Sequence, residues 1–425
     1  MSKNIFKTFS KNFWVVITME FFERGSYYGL MSILSVYLAL SVDKGGLGFS
    51  KESIGVIKSV ITPLLYLLPI IAGAIADRFG YKKTLAFSFV VMSLGYSLSG
   101  LVSEYLLIFL TLILMAIGAG SFKPIISGTI SRITDESNSG LAFGIFYWSI
   151  NLGAFLFPLF LVPLLKNTYG YQAIFFLAAI GVGWLFFLNL FAYEEPPKPQ
   201  SSKSLAEVLK GAALVLADYK FVLMIVIYSG FWILYFQMFD TVLWYLKEHM
   251  DMTPFDNMVN AILGLFIANP NWKFDAEHVT VINAGTIILL QIIISNIVKN
   301  KPALPTMIFG IILGTIGMGM LAISTHAFVF IAGIILFSIG EMTAHPKFIS
   351  YVGLIAPADK KALYLGYAFL YGVIGSGIGG VLGANLYVIF IEKMNMPWLL
   401  WLIFSSIGFL TAIGLLAYNK FLLKK

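Results

Sequence analysis

Residues 105–131 read YLLIFLTLILMAIGAGSFKPIISGTIS, and this stretch decides the class of fold. Its one charged residue is Lys123, and its apolar run is far longer than the strand of about ten residues that crosses a membrane in a barrel. A helix that crosses a bilayer needs about twenty apolar residues, and a helix satisfies its own backbone hydrogen bonds in lipid. The stretch therefore predicts a membrane-spanning α-helix.

The same pattern recurs along the chain, which is 425 residues long and 59% hydrophobic. Only 12% of the residues are charged, against roughly 25% in a soluble domain, so the chain must use lipid as solvent. The predicted protein is therefore all-α and integral to the membrane. We predict twelve spans, at residues 12–40, 53–76, 83–102, 105–131, 139–163, 170–193, 219–247, 277–298, 303–324, 327–356, 361–391 and 395–420.

The net charge of +7 follows from the positive-inside rule, and we expect no nucleic-acid partner. Eighteen of the 28 Lys and Arg residues fall in segments assigned to the inside, six in segments assigned to the outside, and four within spans. We therefore expect a multi-pass protein of the cell inner (plasma) membrane, with both termini in the cytoplasm. No cysteine is present, which excludes disulfides and thiol chemistry.

The longest polar break divides the spans six and six, a plan typical of secondary transporters built from repeats. It opens with EEPPKPQSSK from Glu194, which is a linker composition, and Ser204–Leu216 predicts a short amphipathic helix on the membrane surface. In the outside loop 248–276, residues 258–268 are too few to span and predict an interfacial or capping helix. The predicted domains are an N-terminal six-helix bundle (1–193), a cytoplasmic linker (194–218) and a C-terminal six-helix bundle (219–425).

The turn between the second and third spans reads GAIADRFGYKK from Gly73 to Lys83. It is similar to the signature loop of the major facilitator superfamily, with Gly73, Asp77, Arg78 and Gly80 as its characteristic residues. The glycines permit a tight turn, and Asp77 can pair with basic groups across the helix ends. The resemblance implies the fold of that superfamily, with twelve transmembrane helices in two six-helix bundles.

Ionisable groups within spans are costly and are candidates for function by default. The first span reads EFFERGSYY from position 20, which aligns one helical stripe of five polar residues, Glu20, Glu23, Arg24, Tyr27 and Tyr28. Arg24 can neutralise one carboxylate, and a spare carboxylate beside a like charge in a low dielectric takes up a proton more readily than in water. The stripe is a candidate proton-coupling site, and the alternative is a buried salt bridge that locks helix packing.

Further polar and charged groups lie within other spans. Lys123, followed by Pro124, must pair or lose its charge, and the first-span carboxylates are its expected partners. Lys58 lies near the outer end of the second span, where a lysine can snorkel to the interface. Lys347 is a candidate for a gating salt bridge. Asn283 either caps a neighbouring helix or lines the substrate site.

Asp240 stands in an apolar stretch of the seventh span. An acid there is unlikely to face lipid, so we expect it to form a gate or salt bridge with Lys123 or another basic group. The alternative is that Asp240 lies at the outer interface and is solvated, close to Lys247 and Glu248.

In four regions the chain resembles the proton-dependent oligopeptide transporter family. These regions are the ExxER-type motif from Glu20 with its tyrosine pair, Lys123-Pro124, the run FYWSINLGA at 146–154, and SIGE at 338–341 with Pro346. Trp232 and Gln237 of the seventh span are also similar. The resemblance implies that the ExxER group and Lys123 couple protons to transport. It implies a substrate site for which our candidates are Tyr27, Tyr28, Tyr147, Asn151, Trp232, Asn283 and Glu341, with Glu341 receiving the peptide amino terminus.

Three departures from that family bear on the substrate. Met31 stands where many members carry an arginine for the peptide carboxylate, and Phe236 stands where helix seven often has an acid. The linker of 25 residues also lacks room for the two extra helices that bacterial members insert between the halves.

The sequence therefore predicts a proton-coupled symporter of di- or tripeptides or peptide-like solutes that works by alternating access. The alternative is a proton-coupled exporter of drugs or other hydrophobic solutes, which Met31 slightly favours. A membrane-embedded enzyme or receptor would need a nucleophile, a metal cluster or a large soluble domain, and the sequence carries no such constellation, so we predict no enzyme. We expect no cofactor beyond protons as the coupling ion, and a monomer whose partners are the small-molecule substrate and the lipid bilayer.

Overall fold

The computed structural model describes residues 8–197 and 205–423. Helices follow the predicted spans, and we number them α1 to α12. They are α1 (Lys11–Ala39), α2 (Lys51–Phe79), α3 (Tyr81–Leu101), α4 (Tyr105–Ile133), α5 (Ser139–Leu156), α6 (Gln172–Phe191), α7 (Tyr219–Gln237), α8 (Glu277–Val298), α9 (Ala303–Gly319), α10 (Ala327–Ile355), α11 (Leu370–Tyr387) and α12 (Pro397–Tyr418). The predicted all-α fold is confirmed.

Within the described residues, eleven helical stretches are long and apolar enough to cross a membrane. The first predicted span is not one of them, although α1 has 29 residues. Glu20, Glu23 and Arg24 lie in α1 and lower its hydropathy. The least apolar of the predicted spans is thus the one that carries the densest set of charges.

Several spans are interrupted where the sequence predicts a continuous helix. The largest interruption lies in span seven, where α7 ends at Gln237 and a second helix, Thr241–His249, begins after a turn. The predicted span over 219–247 is matched by one apolar stretch, Tyr219–His249, whose helix is broken by a turn at residues 238–240. Other helical segments extend the spans: Phe157–Leu161 and Val162–Tyr169 after α5, Met320–Ala322 after α9, Lys361–Tyr367 before α11, Val388–Lys393 after α11, and Asn419–Leu423 after α12.

Two shorter helices lie between spans. Leu205–Leu216 matches the predicted amphipathic helix of the linker, although Ser204 and the rest of 198–204 lie outside the described residues. The loop after span seven contains Thr253–Leu263 instead of the predicted helix over 258–268. Its start is set by Pro254 in the first turn, a position that proline favours, and hydropathy alone could not place it.

The chain divides into two compact units. One unit takes Met1–Met31 with Val60–Asp218, and the other takes Ser32–Ser59 with Tyr219–Lys425. The two units therefore do not follow the order of the sequence strictly. The end of α1 and the start of α2 belong to the second unit, although they come early in the chain.

Glycines allow close helix approach at the positions that hold the site residues. A Cβ on Gly375 of α11 would lie 2.7 Å from the Cβ of Trp232 on α7. A Cβ on Gly153 of α5 would lie 2.6 Å from the backbone oxygen of Phe21 on α1. Small residues at such contacts let two membrane helices pack backbone to backbone, which fixes Trp232 and the α1 stripe relative to their neighbours.

Candidate functional site

Three charged residues of α1 form a buried cluster in the first unit. Arg24 donates from Nη2 to Oε1 of Glu23 at 2.6 Å and from Nε to the other oxygen of Glu23. Its Nε lies 3.6 Å from Oε1 of Glu20. Glu20, Glu23 and Arg24 are only 1%, 0% and 6% exposed. One arginine therefore serves two carboxylates, as predicted, and the tighter, bidentate pair is with Glu23.

The second oxygen of Glu20 has a different environment. Glu20 Oε2 is buried and accepts no hydrogen bond among the described residues. A buried polar atom without a partner is costly, more so on an ion. A proton on Glu20 would remove the unbalanced charge, so the geometry makes Glu20, rather than Glu23, the candidate for proton exchange.

Lys123 of α4 interacts electrostatically with this cluster without an ion pair. Its Nζ lies 4.9 Å from the centre of the Tyr66 ring, a cation–π distance. Glu20, Glu23 and Arg24 all act on it electrostatically. Among the described residues, however, no carboxylate lies within ion-pair distance of Lys123, so the predicted contact with a first-span acid is not formed here.

Four predicted substrate residues belong to the same unit as this cluster. The rings of Tyr27 and Tyr28 contact edge to face at 5.2 Å, and Arg24 lies 5.1 Å from the Tyr27 ring centre. Asn151 of α5 donates to the backbone oxygen of Tyr147 at 2.9 Å, which engages its amide within its own helix. Tyr147 is 43% exposed.

The signature loop is held by ion pairs and by a helix cap. Asp77 accepts from Arg132 at 2.5 Å, the partner across helix ends that the sequence predicted. Glu195 accepts from the backbone N–H groups of Tyr81 and Lys82 at 2.6 and 2.8 Å, and an anion at a helix N-terminus is favourable.

The two glycines of the loop differ in what they require. Gly80 has φ +102, which favours glycine. A Cβ on Gly73 would lie 3.7 Å from that of Pro124, an ordinary contact. Arg78 is exposed and lies 5.6 Å from the Phe79 ring centre.

In the second unit, Glu341 of α10 is fixed by a polar network. Asn283 of α8 donates to Oε2 of Glu341 at 3.1 Å and to Oγ of Ser338 at 2.9 Å. Asn283 is 8% exposed, while Glu341 is half-buried. Asn283 therefore caps no helix and instead orients the carboxylate, and Ser338 is a member of the network that sequence reasoning missed.

Aromatic rings line the next turn of α10. Trp232 of α7 stacks on Tyr371 of α11 with centroids 4.4 Å apart, and its ring meets that of His345 edge to face at 5.3 Å. His345 stands one turn after Glu341, and its Nδ1 has no hydrogen-bond partner among the described residues. Trp232 thus lies in the same part of the second unit as the candidate amine-binding carboxylate.

Asp240 forms a buried ion pair in the second unit, with Lys58 rather than Lys123. The Nζ of Lys58 lies 3.0 Å from Oδ1 of Asp240, and Ser35 donates to the same oxygen at 2.5 Å. Asp240 and Lys58 are each 5% exposed. The solvated alternative is therefore wrong, and so is the expectation that Lys58 snorkels.

Lys247 and Glu248, the neighbours that the solvated alternative required, have other partners. Lys247 pairs with Asp275 at 2.9 Å, and Glu248 pairs with Lys51 at 2.7 Å.

Lys347 forms no salt bridge with any residue that the structure describes, so the predicted one is not seen there. Lys347 of α10 is 8% exposed and donates to the backbone oxygens of Lys301 and Lys299 at 2.8 and 3.4 Å. These carbonyls follow the end of α8, where a cation is favoured by the helix dipole. Lys347 is therefore a helix cap, and the carbonyls replace the carboxylate partner that the sequence led us to expect.

Within the part of the chain that the structure describes, no group of three or more His, Cys, Asp and Glu residues is placed to hold a metal ion. Ser35, Lys58 and Tyr66 are functional candidates that sequence reasoning missed or undervalued. Lys58 carried a signal, since a lysine within a span is a candidate by default. Hydroxyl groups of Ser and Tyr carry no comparable signal.

Buried acids and bases thus lie on long, largely apolar helices in both units of the chain. The family model of the Major Facilitator Superfamily matches residues 16–379. The chain therefore belongs to the major facilitator superfamily.

Within it, the chain is similar to curated peptide permeases and, in fold, to solved structures of proton-dependent oligopeptide transporter (POT) family members. Dipeptide and tripeptide permease B of Aliivibrio fischeri (strain MJ11) is 35% identical over 187 residues, which are 43% of this chain and 36% of that protein. The di-/tripeptide transporter of Lactococcus lactis subsp. lactis (strain IL1403) is 32% identical over 233 residues, which are 51% of this chain and 44% of that protein. The chain thus spans less than half the length of these curated relatives.

The fold likeness covers nearly all of the chain. The crystal structure of a POT family transporter in complex with a thioalcohol-conjugated peptide matches with a TM-score of 0.78 at 20% identity, over 96% of each chain. These relatives and this structure are named permeases and transporters, in keeping with the prediction of a membrane transporter.

Proposed function

We propose that this protein is a proton-coupled symporter of short peptides or peptide-like solutes that works by alternating access. The observation that carries the proposal is the α1 cluster, in which two buried carboxylates share Arg24 and one oxygen of Glu20 has no hydrogen-bond partner among the described residues. A structural salt bridge needs one acid and one base. The second acid has a function if it binds and releases a proton in each transport cycle.

Glu341 is the proposed contact for the peptide amino terminus. Asn283 holds one of its oxygens at 3.1 Å, and the half-buried carboxylate keeps acceptor capacity for an ammonium group. An ammonium bound there would neutralise a charge that is costly within a membrane. The names of the curated relatives, di- and tripeptide permeases, support this class of substrate.

Substrate class is tested by a thermal-shift screen of the purified protein against a dipeptide library, followed by uptake into liposomes. We expect dipeptides with a free amino terminus to raise the melting temperature and to be taken up under an inward proton gradient. The matched controls are the same dipeptides with an acetylated amino terminus. Stabilisation and uptake of blocked and free dipeptides to the same extent would contradict the role of Glu341.

A second candidate function is proton-coupled export of drugs or other hydrophobic solutes. Met31 favours it, because an apolar side chain that is 3% exposed stands where a carboxylate-binding arginine is common in the family. Export would appear as uptake into inside-out vesicles driven by internal acid. The symporter predicts the reverse direction of accumulation.

We further propose a monomer in the inner (plasma) membrane with both termini in the cytoplasm, with protons as the coupling ion and no bound cofactor. The excess of Lys and Arg in the segments assigned to the inside supports this orientation.

A further inference from the structure

An apolar tip is exposed at the end of the helix Thr253–Leu263 and at the start of the loop that leads from it to α8. It consists of four side chains with high exposure: Ile262 (53%), Leu265 (78%), Phe266 (81%) and Ile267 (57%). Large apolar side chains that are contiguous and exposed mark a surface that meets another apolar phase. The tip belongs to no site described above. The residues around it indicate which apolar phase it contacts.

The tip is held in place by hydrogen bonds at its base. Asn260 donates to the backbone oxygen of Trp272 and accepts from its backbone N–H, both at 2.8 Å. Asp256 accepts from the backbone N–H of Phe274 at 2.8 Å. Successive turn bonds, such as Ile267 N–H to Leu263 O at 2.9 Å, order the tip itself. The apolar side chains are thus presented outward by a closed loop, although folding inward would bury them.

Charge is absent from the whole loop that carries the tip. The sixteen residues from 257 to 272 contain no Asp, Glu, Lys, Arg or His, and Asp256 and Lys273 bound them on either side. Trp272 stands at the end of this stretch, next to the charged boundary. An apolar segment flanked by tryptophan and then by charges is the order of groups across a membrane interface.

The helix that leads to the tip also packs against the start of the membrane-spanning α10. The ring of Phe255, at the base of the loop, meets that of Phe328 at 6.0 Å, and Phe328 is in the first turn of the membrane-spanning α10 and is 43% exposed. Ile323, just before α10, is 79% exposed. Met258 and Ile262, three and seven residues after Phe255 on the same helix, are 40% and 53% exposed, so this helix face leads from Phe328 toward the tip.

We propose that the apolar tip inserts into the lipid leaflet on the side predicted to be outside, and anchors the loop between α7 and α8 to the bilayer. Lipid is the partner that these observations favour, because the tip is uncharged, has no polar group among its four side chains and follows a helix that packs against the start of a membrane-spanning helix. The anchored loop connects the turn at Asp240 to α8, which carries Asn283.

Nitroxide labelling at single cysteines tests this insertion directly, because the chain has no native cysteine. The labelled positions are Phe266→Cys in the tip, Leu289→Cys on α8 as a lipid-facing reference (74% exposed), and Asp43→Cys in an exposed outside turn as a water reference. Each protein is reconstituted in liposomes of phosphatidylcholine and phosphatidylglycerol. Collision rates of the label with oxygen and with a water-soluble nickel chelate are then measured.

We expect the label at 266 to behave as the label at 289 does, with far fewer nickel collisions than at 43 and with oxygen collisions retained. Nickel collisions equal to those at 43 would overturn the proposal in favour of a solvated tip. Loss of both kinds of collision, with spin coupling between labels, would overturn it in favour of contact with a second copy. Ile267→Cys repeats the test if Phe266→Cys does not fold.

Discussion

The buried pair of Lys58 and Asp240 should behave as one energetic unit. The charges are 3.0 Å apart, and both side chains are 7% exposed. With an effective dielectric constant of about 20, charges this close attract by about 5 kcal/mol, and that attraction is offset by loss of hydration. Removing one partner leaves a buried charge unbalanced, which costs about 3 to 5 kcal/mol.

The perturbation is a double-mutant cycle with Lys58→Met, Asp240→Asn and the double variant. We expect each single variant to lose about 3 kcal/mol of the free energy of unfolding and the double variant to lose much less than the sum, since no unbalanced charge remains. Equilibrium unfolding in mixed micelles measures all three, and liposome uptake shows whether transport falls with the single variants.

A matched pair on the same unit supplies the control. Lys247 and Asp275 are 2.9 Å apart, but their side chains are 36% and 23% exposed, so Lys247→Met should cost less than about 1 kcal/mol. A coupling energy for Lys58 and Asp240 no larger than that of the exposed pair would refute the reasoning. Ser35→Ala should weaken the buried pair further, because its hydroxyl donates to Asp240 at 2.5 Å.

Three other predictions follow from the site. Lys123→Ala should abolish proton-driven uptake in liposomes while the protein stays folded by thermal melting, because Lys123 acts on Glu20 and Glu23 electrostatically; normal uptake would count against it. Glu341→Gln should weaken binding of peptides with a free amino terminus more than binding of acetylated ones, and equal weakening would leave Glu341 a structural or proton-carrying residue. Lys347→Met should lower the free energy of unfolding by about 1 to 3 kcal/mol through loss of two bonds to backbone oxygens, with coupling retained; lost coupling at unchanged stability would contradict the capping role.

Span positions could be predicted because hydropathy is a local property. The predicted span 277–298 coincides with α8, and most other spans differ from their helices by a few residues. The break after Gln237 was not predicted, and Asp240, which stands in it, meets Lys58 and Ser35 far away in the sequence. Hydropathy registers Asp240 as one acid in an apolar run and carries no information about its partner.

The site was predictable in composition but not in pairing. The spacing of Glu20, Glu23 and Arg24 placed them on one face, yet the same spacing allows either acid to take the arginine. Only the side-chain geometry distinguishes the bidentate pair with Glu23 from the half-satisfied Glu20. The partner of Lys347 was predicted wrongly for a related reason. Backbone carbonyls accept the hydrogen bonds of a lysine just as a carboxylate does, and the sequence does not show which carbonyls the fold brings to it.

Proton coupling through Glu20 is the central claim, and the equilibrium accumulation ratio of a dipeptide in liposomes tests it most directly. The ratio is measured against an imposed pH gradient at zero membrane potential, for wild type, Glu20→Gln and the matched variant Glu23→Gln. Wild type should accumulate peptide by about tenfold per pH unit for each coupled proton. Glu20→Gln should give a ratio of one at every gradient while still exchanging peptide for peptide, and Glu23→Gln should also lose stability, because it breaks the bidentate pair with Arg24. A Glu20→Gln protein that accumulates peptide as steeply as wild type would contradict the account.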